Sequence, residues 1–279
     1  MKNRKLVIVS NAGINKDLQG IDADVRNYVN FFRQPEGGLW DFSVNGDAIC
    51  YDTNSIDANK FIEVLNHFSK IEPIDYWVIV FVGHGGSDPN KGDVLEICPE
   101  QVSVNSDCSI WDIRQAIGRN TRAVLIADCC RSPIRAYESG GCICEGLFSD
   151  TLSESEQYRK NCLELYHKYF MMIPLGAFFV AQACSYGECS SGNSKGGYYS
   201  FHLLEQAKKL IEGQKKLYRD INYEGQVFSL SYVHTLASPL VTRDANRFGE
   251  EQNPEYSGPR CNQPPLCVVA REPRRLIFG

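Results

Sequence analysis

The run Thr121-Arg-Ala-Val-Leu-Ile-Ala-Asp-Cys-Cys-Arg-Ser132 constrains the fold more than any other stretch. Its apolar part, residues 123–127, is continuous rather than alternating, which suits a parallel strand covered on both faces. The run stops at an acid and two thiols, where open α/β sheets place their ligands. Upstream, Trp77-Val-Ile-Val-Phe-Val82 is a second continuous run, and it ends in Gly83-His84-Gly85-Gly86. If the two strands are parallel neighbours, an imidazole and a thiol 46 residues apart, His84 and Cys130, reach one sheet edge. A thiol nucleophile and its base need that pairing.

The choice of Cys130 over Cys129 follows from alternation. Side chains two apart on a strand share a face, so Cys130 points the same way as Asp128. A thiol with an ordinary pKa near 8.5 needs an adjacent base to supply thiolate near neutrality, and His84 is placed to be that base and later to protonate the leaving amine. The competing reading makes both cysteines core thiols and His84 a turn histidine; the linked Gly-His-Gly weighs against it. No third member of a triad is evident, which leaves a backbone carbonyl to orient His84.

Around these two strands the pattern predicts an α/β fold. Strands are expected at 5–10, 44–51, 176–183 and, as a last edge strand, 253–257. A hairpin is expected from 93–97 and 101–104. Helices are expected at 21–32, with Ile21, Val25, Tyr28, Val29 and Phe32 on one face, and at 57–68, 109–117, 155–171 and 199–210. Ser109 with Asp112 three residues on reads as a helix cap. Residues 131–154 read as a long loop of the functional or disordered kind. Residues 215–236 show mixed helical periodicity broken by Gly225. From Gly258, four prolines and several basic residues read as a tail, giving a domain over 1–257 and a tail over 258–279.

Composition narrows the function classes. A net charge of −5 argues against a nucleic-acid or anionic-membrane partner. No apolar run reaches the roughly 20 residues of a membrane span. Twelve cysteines invite a disulfide reading. However, Met1-Lys-Asn-Arg-Lys5 leads straight into a strand-like run with no signal-peptide pattern, so a reducing, cytoplasmic compartment is expected. Without a glycine-rich phosphate loop, a nucleotide-binding module is disfavoured.

The Gly-His-Gly after one hydrophobic strand and Asp-x-Cys-Arg-Ser after the next resemble the caspase-type cysteine peptidases. The acid two residues before the thiol resembles the metacaspase and paracaspase branches, which cleave after Arg or Lys. Leu18-Gln-Gly20 followed by Asp24 resembles the metacaspase segment Leu-x-Gly-Cys-x-Asn-Asp, with Ile21 where that branch usually has a cysteine. Ala181-Gln-Ala-Cys-Ser185 and Gly197-Tyr-Tyr-Ser200 resemble a strand and the following helix of the same fold. The matches extend from about Leu6 to Ser257.

The resemblance implies a caspase-like α/β/α sandwich with a mostly parallel central sheet flanked by helices. It implies a cysteine endopeptidase that cleaves peptides and proteins after Arg or Lys and acts as a monomer. It assigns the oxyanion donors to the Gly85 and Cys130 N–H groups, and the basic-residue pocket to Asp24 and Asp128. Two carboxylates around a guanidinium make charge-assisted, bidentate bonds; caspases that cut after Asp carry basic residues there. No cofactor is required by the sequence. Many metacaspases bind Ca²⁺, but here that site looks incomplete: Glu100 and Asp107 remain, Ser106 stands where an acid is expected, and Glu138 is the only acid near the basic run after Cys130. A zinc site from Cys142, Cys144 and Cys162 or His167 lacks a Cys-x-x-Cys framework. Self-cleavage is expected at Arg131, Arg135, Arg159 or Lys160, or in the tail at Arg271, Arg274 or Arg275, and the tail is expected to restrain activity. The alternative is an inactive caspase-like scaffold.

Overall fold

The computed structural model describes residues 3–12, 18, 20–51, 56–97, 107–132, 154–193, 196–217 and 225–271. The chain begins with β1 (Arg4–Asn11), α1 (Ile21–Arg33), β2 (Ala48–Tyr51), α2 (Ala58–Ile71) and β3 (Tyr76–Gly83). A small antiparallel sheet follows, made of β4 (Gly85–Asp88), β5 (Gly92–Glu96) and β6 (Asp107–Ser109). Next come α3 (Ile110–Ala116), β7 (Arg122–Asp128), α4 (Glu156–Met171) and β8 (Phe178–Gln182). The two-residue strands β9 (Gly192–Asn193) and β10 (Gly196–Gly197) lead into α5 (Tyr198–Leu217). The last elements are β11 (Gly225–Ser229), α6 (Leu230–Asn246), β12 (Glu255–Ser257) and β13 (Pro265–Ala270).

The central sheet has the order β12-β8-β7-β3-β1-β2. Its strands are parallel except β12, which pairs antiparallel with β8 at the edge. β3 and β7 are buried along their whole length, which is why they read as unbroken apolar runs. Alternate side chains feed two cores. Val78, Val80, Val82, Val124 and Ile126 join the core under α1, α4, α5 and α6. Trp77, Ile79, Phe81, Ala123, Leu125 and Ala127 join the core under α2 and α3. The fold is therefore the expected α/β/α sandwich with a mostly parallel sheet. No helix among the described residues is long and apolar enough to cross a membrane.

Helix starts follow local chemistry. Asp57 accepts from Lys60 N at 2.7 Å and caps α2. Ser109 and Asp112 form the expected capping box at α3. Ser155 and Ser229 cap α4 and α6 through the N–H groups of Tyr158 and Tyr232. Each cap satisfies a backbone donor that the first turn leaves open.

Three expectations need correction, and a fourth lies partly outside the described residues. The expected strand at 44–51 is confined to Ala48–Tyr51, and Val44 is fully exposed. The expected hairpin falls partly on residues 101–104, which lie outside the described residues; β5 itself pairs antiparallel with β4, Gly85–Asp88, and with β6 downstream. The mixed segment 215–236 divides into the end of α5, the strand β11 and the start of α6, which continues past an internal Pro239 to Asn246. The tail expectation fails through Ala270: β13 pairs with β11, and Leu266, Cys267, Val268, Val269 and Ala270 are core residues. Pro265 is tolerated because it is the strand's first residue, while the Pro264 carbonyl accepts from Leu230 N at 2.8 Å.

Candidate active site

His84 and Cys130 emerge at the carboxyl edge of adjacent parallel strands. The last paired positions of β3 and β7 are Val82 and Asp128, so each residue lies two positions beyond. Neighbouring strands run about 4.8 Å apart. The backbone of His84 is held on both sides: its N–H donates to Asn11 O at 3.3 Å, and its carbonyl accepts from Glu96 N at 3.1 Å.

The glycines flanking His84 are set by close approach. Gly83 has φ +151°, and a Cβ there would collide with the Asn11 carbonyl oxygen. A Cβ on Gly85 would lie 2.7 Å from Cys129 Sγ and 2.9 Å from both Cys129 Cβ and Val94 O. Only a residue without a side chain lets this turn settle onto the end of β7.

The two thiols diverge. Cys129 belongs to the α2/α3 core beneath Gly85, and burial pushes its thiol well above the ordinary range. Cys130 turns to the opposite side, where Ser190 N–H donates to its sulfur at 3.3 Å. Asp128 lies on the Cys130 side and accepts from Ser190 Oγ at 2.6 Å and from Ser200 N at 2.9 Å. Ser190 thus spans the nucleophile candidate and the acid. Gln252, fully buried, donates to Ala183 O at 3.0 Å and accepts from Ser191 N at 3.0 Å, which fixes this segment.

Asp24, in the first turn of α1, approaches the same region. Its Oδ2 accepts from Gly197 N at 2.8 Å. Its Oδ1 is buried with no hydrogen-bond partner among the described residues. Asp24 is 1% exposed and Asp128 4%. Burial, then the field of Asp128, holds the Asp24 carboxyl well above the usual range. Burial also raises Asp128, against the opposing pull of Ser190 and Ser200. Among the described residues no lysine or arginine forms an ion pair with either acid. β10 closes over them: a Cβ on Gly196 would collide with Asp24 Oδ1, and one on Gly197 with Asp128 Oδ2.

Arg131 departs from the expectation of an exposed cleavage site. It is 8% exposed. Its guanidinium makes a two-pronged pair with Asp93 on β5 (Nε–Oδ1 3.0 Å, Nη2–Oδ2 2.9 Å). Nη1 reaches Glu255 at 2.5 Å and the Cys184 carbonyl at 3.1 Å. Ser87 N donates to Ser132 O at 3.0 Å. The segment after Cys130 is thereby clamped to the β4–β5 hairpin that continues from His84.

Of the remaining metal candidates, Glu100, Ser106, Glu138, Cys142 and Cys144 lie outside the described residues. Cys162 and His167 are buried on α4. Among the described residues no group of three or more His, Cys, Asp or Glu is arranged to hold a metal ion. Sequence reasoning missed Ser190, Gln252 and the clamp role of Arg131. Ser190 and Gln252 sit in segments without periodicity and more than 50 residues from Cys130, so no local signal marks them. For Arg131, a basic residue directly after a buried strand end was a usable signal.

The family model described as "Caspase domain" matches residues 3–259. No curated protein matches the chain.

Proposed function

The chain belongs to the caspase-domain family of cysteine-type peptidases, and on that premise we propose that it is an endopeptidase of the metacaspase type, cleaving after Arg or Lys through a His84–Cys130 dyad. His84 takes the Cys130 proton, and the thiolate attacks the scissile carbonyl. A base is needed because the thiol is pushed up by its hydrogen bond with Cys189 and by burial. Ser190 N–H, donating to the sulfur, favours the thiolate. The Gly85 and Cys130 N–H groups face the oxyanion that develops. His84 then protonates the leaving amine, and water hydrolyses the acyl-enzyme.

The observation that carries the specificity is the uncompensated acid pair, Asp24 and Asp128, buried on the Cys130 side. Buried carboxylates without a cation are unfavourable, and a substrate guanidinium supplies the missing partner. Arg should bind better than Lys because its planar fork matches two carboxylates. A substrate Asp would be repelled. Since the acids lie beneath β10, the guanidinium enters as β10 moves aside. Self-cleavage is proposed at Arg135, on the same preference. Both dyad residues are present, so no observation favours the inactive-scaffold reading.

Matched peptides with Arg, Lys or Asp before the scissile bond test the proposal. Wild type should cut Arg best, then Lys, and leave Asp intact. Losing one partner of a buried charge pair costs about 2–5 kcal/mol, so Asp24→Asn should lose about 30-fold or more in kcat/KM on the Arg peptide. Efficient cleavage after Asp, or unchanged Arg cleavage by a folded Asp24→Asn protein, would refute the pocket.

A further inference from the structure

Cys130 does not face its surroundings alone. The segments around Arg131 and residues 187–188 are bonded in both directions, Arg131 N to Glu188 O at 2.9 Å and Gly187 N to Arg131 O at 3.0 Å. That pairing makes the flanking residues, Cys130 and Cys189, neighbours across the two segments. Their thiols are in mutual hydrogen-bonding reach. Cys189 also approaches Ser132 Oγ at 3.6 Å. Cys189 is exposed, while Cys130 is only partly so.

The other nearby thiols are differently occupied. Cys129 lies on the opposite face under Gly85. Cys184 is fully buried and directs its sulfur to the carbonyls of Cys129 and Glu188, at 3.3 and 3.4 Å. Among the described residues only Cys189 joins solvent access to contact with Cys130.

We propose that Cys189 is a peroxide-reactive thiol that Cys130 resolves, so that a hydroperoxide converts the pair into a reversible Cys130–Cys189 disulfide. The inactivation this would cause rests on the peptidase reading above; formation of the bond does not. The chemistry is set by which sulfur carries the charge. The hydrogen bond from Cys130, aided by Ser132, lowers Cys189 to about 6, whereas the Cys130 thiol is raised by the same bond and by burial. The exposed Cys189 thiolate attacks hydrogen peroxide, breaking its O–O bond; the departing hydroxide takes a proton to become water, and Cys189 becomes a sulfenic acid. The Cys130 sulfur then attacks the Cys189 sulfur. The S–O bond breaks, and the departing hydroxide takes the Cys130 proton as a second water. Two thiols and one peroxide thus give one disulfide and two waters. A dithiol reverses the bond by exchange. A disulfide needs the two Cβ atoms about 3.5–4.5 Å apart, a separation that adjacent bonded segments allow.

The test uses the full-length protein, reduced, freed of reductant and exposed to hydrogen peroxide. After blocking with N-ethylmaleimide and digestion without reductant, mass spectrometry should find the Cys130 and Cys189 peptides joined, two hydrogens lighter than their sum. The joined species should disappear in Cys189→Ser. Cleavage of an arginyl peptide, scaled to each protein's own untreated rate, should be mostly lost and then restored by dithiothreitol in wild type. In Cys189→Ser it should be largely retained, because the thiol that reacts first with peroxide is gone. Oxidation of other thiols with no joined Cys130–Cys189 peptide would overturn the proposal, as would equal loss of activity in Cys189→Ser. If the reduced protein cleaves no peptide, the proposed function fails while the mass readout still decides the disulfide.

Discussion

Asp24 carries a burial cost that no described cation offsets. Its folded carboxyl keeps its proton to a higher pH than the unfolded one, through burial and Asp128. Folding therefore takes up a proton between the two values. The stability tied to this group is present in full below the unfolded carboxylate pKa of about 3.9 and is lost as pH rises through the raised folded value. Asp24→Asn removes that loss, and its amide oxygen can still accept from Gly197 N. The variant should melt higher than wild type at pH 7, by about 2–4 °C for each kcal/mol gained in a chain of roughly this size, and the gap should close toward pH 4. A lower melting point at pH 7 would contradict this. At this scale the sequence was informative where chemistry is local. Alternation put Asp128 and Cys130 on one side, as the Ser190 contacts do. Asp24 was suggested by resemblance, since a helix acid four residues from a glycine carries no signal of its burial.

Among the elements, the one joining the two halves of the site is the β4–β5 hairpin, through Asp93 and Arg131. Arg131→Lys keeps the charge but loses the two-pronged fork, and Asp93→Asn keeps the shape but loses the charge. Each should lower kcat by about tenfold or more, with KM little changed, because the clamp positions Cys130 against His84 and does not bind substrate. The double variant should lose much less than the product of the two single losses. Variants that melt lower yet keep kcat would reduce the clamp to a structural role. The hairpin was half legible. β5 alternates enough to be found, whereas β4 reads Gly85-Gly-Ser-Asp88 and carries no pattern at all.

For the whole molecule, the apolar runs and helical faces were enough to place the central sheet and its two helical layers, because a strand buried on both faces leaves an unbroken run. The chain beyond 215 misled for the opposite reason. Gly225 and the prolines from 259 to 265 look like breakers, yet Gly225 starts a strand and Pro265 is the first residue of a buried one. Removing everything after Ser257 would delete β13. Each buried Leu or Val is worth about 1.5–3 kcal/mol, so Leu266, Val268 and Val269 together rival a typical net stability of about 5–15 kcal/mol. The truncated chain should be insoluble or lack a cooperative melt. A soluble, cooperatively melting truncation would show that β13 is dispensable.

The central claim is that one of two adjacent thiols, Cys130, is the reacting atom of a site that recognises a cation. The most direct measurement is labelling of the reduced protein with a peptidyl-arginine electrophile, followed by mass-spectrometric mapping of the adduct. A single adduct on Cys130 is expected, blocked by excess arginyl peptide and strongly slowed in His84→Ala and Asp24→Asn. An adduct on Cys129 or Cys189, or labelling of Cys130 at the same rate by a peptidyl-aspartate electrophile, would contradict it.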